Sequence, residues 1–206
     1  MTVQCCMEPV KHRTVLSVRV ARDTRREPRT REHWTTAALE ALAEGGVGAV
    51  AVDRLTKRVG ATRGSFYWHF RDRDDLIDSA LEQWERENTT ELIPAAEAIR
   101  DPAERLRHLF REVYERPADP NEIALASSAA ESRVGAVMAR VTQARLGFLR
   151  RIFTELGLPE DEAGDRAWLA YAFYIGPHQL GANAGLCDGR PASLDRIVEL
   201  LTSPPR

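Results

Sequence analysis

Arg63, Ser65, Tyr67, Trp68 and His69 lie within one seven-residue stretch, and every one of them ends in a hydrogen-bonding group. Such tips can reach phosphate oxygens or the edges of bases, so the chemistry on offer is binding rather than bond-making. Phe66 and Phe70 are spaced to point inward together. An aromatic core segment is the competing reading, and those two phenylalanines satisfy it alone. Tyr67, Trp68 and His69 are consecutive and cannot all face inward. A short helix exposing Arg, Ser, Tyr, Trp and His builds a core poorly but suits a DNA major groove, which admits one α-helix.

The flanking sequence supplies elements to hold such a helix. Leu55 and Val59 are four apart on a first short helix, and Gly60 follows where the chain needs φ > 0. Thr62 can cap the next helix, expected from about Arg63 to His69, by accepting from its free N–H groups. Trp34, Ala37, Ala38, Ala41 and Leu42 recur at helical spacing and predict a preceding helix over 29–44, with Pro28 near its start and Gly45-Gly46 at its end. Val47, Val50 and Val52 are expected to pack the turn that follows. Asp72, Asp74 and Asp75 open a fourth helix at its positive end. Its stripe is Leu76, Ile77, Ala80, Leu81 and Trp84, and it is expected to reach Ile93, with Pro94 bending or stopping it.

The run Gly-Ala-Thr-Arg-Gly-Ser-Phe-Tyr-Trp-His-Phe, residues 60–70, followed by Arg-Asp-Arg-Asp-Asp-Leu-Ile, resembles the TetR family of bacterial repressors. The resemblance covers roughly Arg31 to Leu81 and weighs most on Tyr67-Trp68-His69 and Leu76. It implies that the second short helix is the recognition helix and that Arg73, just after it, binds phosphate. The DNA-binding set is then Thr62, Arg63, Gly64, Ser65, Tyr67, Trp68, His69 and Arg73. Arg63 and Ser65 stand in the first turn, where base edges are reached; Tyr67 and His69 are expected on phosphates, and Gly64 permits close backbone approach. The chain departs from the family where Ala51 and Val52 replace a phosphate-touching Thr, which leaves Asp53 as the possible cap of that helix. It departs again at Thr56, where the family usually has Ala.

The chain has 206 residues, 43% of them hydrophobic and 29% charged, an ordinary globular balance. No apolar run approaches membrane-spanning length and no signal peptide is visible at the N-terminus, so a soluble cytoplasmic protein is expected. The net charge of −2 is unevenly spread: residues 1–75 hold 14 Lys+Arg against 10 Asp+Glu, and the remainder 15 against 21. The basic end coincides with the proposed reading head, as phosphates require. Residues 1–28 carry Arg13, Arg19, Arg22, Arg25 and Arg26 without a helical stripe. They read either as a disordered tail or as an arm that follows the minor groove or backbone. Cys5, Cys6 and Cys187 make no ligand spacing and no catalytic set.

Beyond the head, only helical patterns appear, so the fold expected is all-α. A three-helix helix-turn-helix head occupies 29–75 behind the arm, and a helical effector-binding and dimerisation body occupies 76–206. The body stripes are Leu106 to Tyr114, a short helix over 121–128, and Val134 to Leu156 closed by Gly157. Pro117 and Pro120 are expected to close the first of these. Pro159 starts the next helix, in which residues 167–175, AWLAYAFYI, are apolar on every side and need cover on every side. One side can meet the body; the other calls for a second chain, through residues 159–184 and 192–202. Gly176-Pro177 is expected to kink this helix, and Ser193 to cap the last one. Candidates for lining an effector pocket are Phe110, Tyr114, Met138, Phe148, Trp168, Tyr171 and His178, each of which reads more readily as plain core.

The function expected is a dimeric transcriptional regulator, a repressor released from a palindromic operator by a small, apolar effector. Repression comes from the resemblance alone. The alternative is a helical protein of the same shape that acts through a protein partner without reading DNA, for which Ala51 and Val52 leave room. An enzyme is disfavoured, because no metal-spaced His/Cys set, nucleophile elbow or phosphate loop is present, and no cofactor is expected.

Overall fold

A computed structural model describes residues 29–115, 119–181 and 194–203. The arm of residues 1–28, Pro117 and the Ser193 cap lie outside the described residues, as do the side chains of Tyr114 and His178. Every element among the described residues is helical.

The head is three helices. Helix α1 (Arg31–Ala49) starts at Thr30, whose extended backbone ends the incoming chain and whose N–H donates to His33 Nδ1 at 3.1 Å. Gly45 and Gly46 leave helical geometry inside it, and Gly46 has φ 65°, ψ −166°, a backbone only glycine adopts easily. Helix α2 (Val52–Val59) ends at Gly60, which is left-handed at φ 68°. Val52 opens α2 and, partly buried, packs with Val47 against the core that holds Val50, as expected. Helix α3 (Arg63–His69) is capped by Thr62, whose hydroxyl accepts the Ser65 N–H at 3.2 Å. Only Phe66 of α3 is fully buried. It meets Trp34 edge-on at 5.5 Å and stacks on Phe70 at 5.6 Å.

Helix α4 (Arg73–Glu85) opens with a double cap: Asp72 accepts the Asp75 N–H at 2.8 Å, and Asp75 accepts the Arg71 N–H at 2.9 Å. The expected single helix to Ile93 is corrected in two places. The chain widens into a π turn at Arg86–Thr90, closed by Glu91 N–H on the Arg86 carbonyl at 2.9 Å, and then resumes as α5 (Leu92–Glu97). Pro94 sits in the first turn of α5, where its missing N–H costs nothing. A proline also crowds the carbonyl four residues back, here Thr90, so the disruption falls upstream of the proline, in the π turn.

Asp101 caps α6 (Pro102–Glu115) by accepting from Ala103 and Glu104. Pro120 opens α7 (Pro120–Ser127) rather than closing α6, and Asp119 caps it. Helix α8 (Ser132–Glu155) ends before Gly157, at φ 88°. Helix α9 (Glu160–Gly181) continues through Gly176 and Pro177, and α10 (Leu194–Thr202) follows.

Two cores result. One joins the head and the apolar face of α4 to Leu125 of α7 and to Val134, Val137 and Val141 of α8. The other joins α5, α6, the C-terminal half of α8, α9 and α10 around Phe148, Ile152 and Phe153. Helix α8 therefore contributes to both. It is tied to α4 by Arg133 on Asp78 at 2.5 Å and on Asp74 at 3.1 Å, and by Arg140 on Glu85 at 2.6 Å. Gly135 is needed where the α7–α8 turn folds back, because a Cβ there would strike the Ala129 carbonyl. No described helix is long and apolar enough to cross a membrane.

Candidate nucleic-acid interface and cavity

On α3, Tyr67 is 60% exposed and Trp68 83%, far outside what packing alone gives large aromatic rings. They stand beside Arg63 and Gly64 on one outward surface, with Ser65 half-buried behind them. Arg63 is engaged as well as exposed. Its Nε and NH2 groups donate to the two carboxylate oxygens of Asp53, each at 2.6 Å. The pair holds the Asp53 carboxyl below its ordinary range, chiefly through the Arg63 hydrogen bond. Asp53 is thus an orienter of Arg63, not the cap of α2; that cap position is Ala51 and makes no side-chain bond.

Two of the residues expected on phosphate also have partners within the chain. Arg73 donates through Nε to the Val50 carbonyl at 2.5 Å and through NH2 to the Val47 carbonyl, clasping the corner between α1 and α2. His69 turns back on α1: its Nε2 lies 2.8 Å from the Arg29 carbonyl, an oxygen that only accepts, so Nε2 carries the proton. The His69 carbonyl in turn accepts from Arg31 at 2.8 Å. Both residues have the right sequence spacing for phosphate, and each also reaches main-chain carbonyls close by.

In the body, a cavity of about 410 Å³ opens between α5, α6, α8, α9 and the π turn. Phe110, Phe148 and Tyr171 line it, as the sequence suggests, with Ile93, Leu106 and Leu109. Met138 and Trp168 do not. Met138 packs against the head core, since it sits about 15 Å up α8 from Phe148 at 1.5 Å per residue. Trp168 points away from the body at 62% exposure, because Ala167, Ala170 and Tyr171 hold the inward face of α9.

One end of the cavity is polar and closed on itself. Arg145 of α8 donates to Glu122 Oε1 at 2.5 Å, to Thr89 Oγ1 at 3.1 Å and to the Asn88 carbonyl at 3.1 Å. The Tyr174 hydroxyl donates to Glu122 Oε2 at 2.5 Å. Burial opposes the charge on Arg145, but the adjacent Glu122 carboxylate outweighs it and raises the guanidinium's affinity for its proton. Burial pushes the Tyr174 hydroxyl well above the ordinary phenol range, so it stays a donor. Four hydrogen-bonding partners thus surround one largely buried arginine.

Residues 35–80, which contain α2, α3 and their packing partners, match the model of the bacterial regulatory proteins of the tetR family. The head is thus similar to that of the tetR family over these residues. The chain is 35% identical over 101 residues to the HTH-type transcriptional regulator AcrR of Shigella flexneri, covering 47% of this chain and 46% of that protein. It is 38% identical over 61 residues to the class A tetracycline repressor from transposon 1721 of Escherichia coli, 30% of this chain and 28% of that one. The chain thus spans less than half the length of these curated relatives. The helical fold is shared with the transcriptional regulator FadR of Bacillus subtilis in complex with stearoyl-CoA, at a TM-score of 0.63 and 18% identity, over 84% of this chain and 98% of that one.

The helical body holds residues that hydrophobic patterning passes over. Arg145 stands in the α8 stripe between Val141 and Phe148, four residues after one and three before the other. A charge in an apolar stripe demands a buried partner, and that signal points to Glu122 and Tyr174.

Proposed function

We propose that this chain is a dimeric DNA-binding transcriptional regulator, a repressor released from a two-fold operator by a small effector held in the body cavity. The observation that carries the reading is α3: one buried anchor, Phe66, and an outward surface of Arg63, Tyr67 and Trp68 left exposed by the described residues. A helix so anchored is set to enter a major groove while its neighbours meet the backbone. Relatives named as a transcriptional regulator and as a repressor support this. The stearoyl-CoA complex of FadR supports an effector cavity in a body of this shape.

Dimerisation is supported by Trp168 and Leu169 on α9 and Leu200 on α10, large apolar side chains each about 60% exposed. Two-fold pairing on that face would present two α3 helices to two half-sites. A mobility shift with the intergenic DNA upstream of the coding sequence tests the whole reading. A discrete, competable complex is expected; binding no tighter than to random DNA would favour the alternative, action through a protein partner.

A further inference from the structure

The geometry points to the π turn at Arg86–Thr90 as the joint between cavity and reading head, with Arg145 as its latch; this deepens, and rests on, the effector-cavity reading above. The turn stands between two rigid pieces. Upstream, α4 is fused to the head through its apolar face, and Arg73 at its first residue clasps the carbonyls of Val47 and Val50. Downstream, Leu92, Ile93 and Ala96 of α5 form cavity wall. The turn itself belongs to the cavity, since Asn88 and Thr89 line it. A π turn has a wider, poorer hydrogen-bond ring than α-helix and is an unfavourable state to hold without outside support.

Arg145 is that support. It binds two successive residues of the turn, the carbonyl of Asn88 and the hydroxyl of Thr89. Its remaining bonds go to Glu122 and Tyr174, which also line the cavity, and its guanidinium lies 5.5 Å from the Tyr174 ring and 5.9 Å from the Trp84 ring at the end of α4. One side chain thus reads both the cavity wall and the joint. The other arginines linking α8 to α4 are of a different kind. Arg133 and Arg140 pair at the surface, with side chains 39% and 54% exposed, where ion pairs hold weakly. The Arg145–Glu122 pair is 14% and 8% exposed, so it cannot exchange its partners for water. An occupant that takes up the Tyr174 hydroxyl or a Glu122 oxygen disturbs Arg145, loosens the turn, and changes the angle at which α4 enters the head.

Hydrogen–deuterium exchange on the full chain tests the latch without knowing the effector. Tyr174→Phe removes the cavity-side hydroxyl and Thr89→Val the joint-side acceptor, each at near-constant volume. Both are expected to raise exchange at residues 86–91 about tenfold and to leave the α8–α9 amides unchanged, while Arg140→Gln stays near wild type. Exchange at 86–91 within about twofold of wild type in both variants, or an equal rise throughout the chain, overturns the latch. The second arm measures affinity for an operator selected by the wild-type chain from random DNA. A change of about fivefold in Thr89→Val is expected, and an unchanged affinity alongside faster exchange overturns the link to the head. Failure of the wild-type chain to select any DNA overturns the regulator reading separately, and the exchange arm still decides the latch.

Discussion

Arg63 shows why the type of a residue says less than its partner. An arginine in the first turn of a reading helix can offer guanine two parallel donors, worth roughly 1–3 kcal/mol of discrimination. Here Asp53 takes the Nε hydrogen and one NH2 hydrogen, which fixes the guanidinium plane and leaves its NH1–NH2 edge to meet a base. Arg63→Ala is therefore expected to relax preference at one base pair in each half-site, and Asp53→Asn to raise affinity for all DNA while blunting preference. Binding selection from a randomised operator library measures both; unchanged profiles would show that Arg63 reads no base. Tyr67→Phe should lower affinity without altering preference. Arg73 carries a different expectation from the one its spacing suggests. Because it clasps two carbonyls, Arg73→Met should lower the stability of the chain by roughly 1–3 kcal/mol besides weakening DNA binding. A denaturation midpoint equal to wild type would return Arg73 to a pure phosphate role.

The caps and turns are where single substitutions act on whole elements. Asp72→Ala removes the acceptor for the Asp75 N–H and should cost about 1 kcal/mol. Asp75 adds a pH dependence. The Arg71 backbone N–H, first, and the nearby Arg71 charge hold its carboxyl below its ordinary value of 3.8. A depressed carboxyl contributes stability above the unfolded-state value, and that contribution fades as pH falls through the folded-state value. Asp75→Asn should therefore flatten the acid limb of the stability curve below about pH 4, and a limb of unchanged steepness counts against the assignment. Gly135→Ala should displace the α7–α8 turn at a cost of about 1–3 kcal/mol, since the added methyl meets backbone and not a movable side chain. Thermal melts of the two alanine variants give the comparison.

For the whole molecule, the proposed two-fold assembly rests on the exposed apolar side chains of α9 and α10. Trp168→Glu with Leu169→Lys should convert a dimer to a monomer of 23.1 kDa at micromolar concentration by light scattering. A wild-type chain that is already monomeric there would sink the two-fold model. Operator affinity should fall steeply between about 50 and 200 mM salt, as counterions displaced from phosphate return.

Periodicity and punctuation were legible in the sequence because they are local. The stripe of α1, the Gly60 break, the Thr62 cap and the inward Phe66 all follow from spacing and backbone rules within a few residues. The choice of Phe110, Phe148 and Tyr171 for the cavity is legible in the same way, as large apolar residues on inward faces. What spacing leaves open is the partner of each polar tip. Arg73 and His69 go to carbonyls at the two ends of α1, and Arg63 goes to Asp53 of α2, because folding brings those oxygens within reach. The position of the break after α4 is likewise tertiary. Pro94 announces a disruption, but the π turn at 86–90 takes it up where Arg145, more than fifty residues away in sequence, satisfies the widened ring. Sequence alone thus determines elements and their inward faces; the buried charge network, which must balance across four helices at once, exists only in the assembled fold.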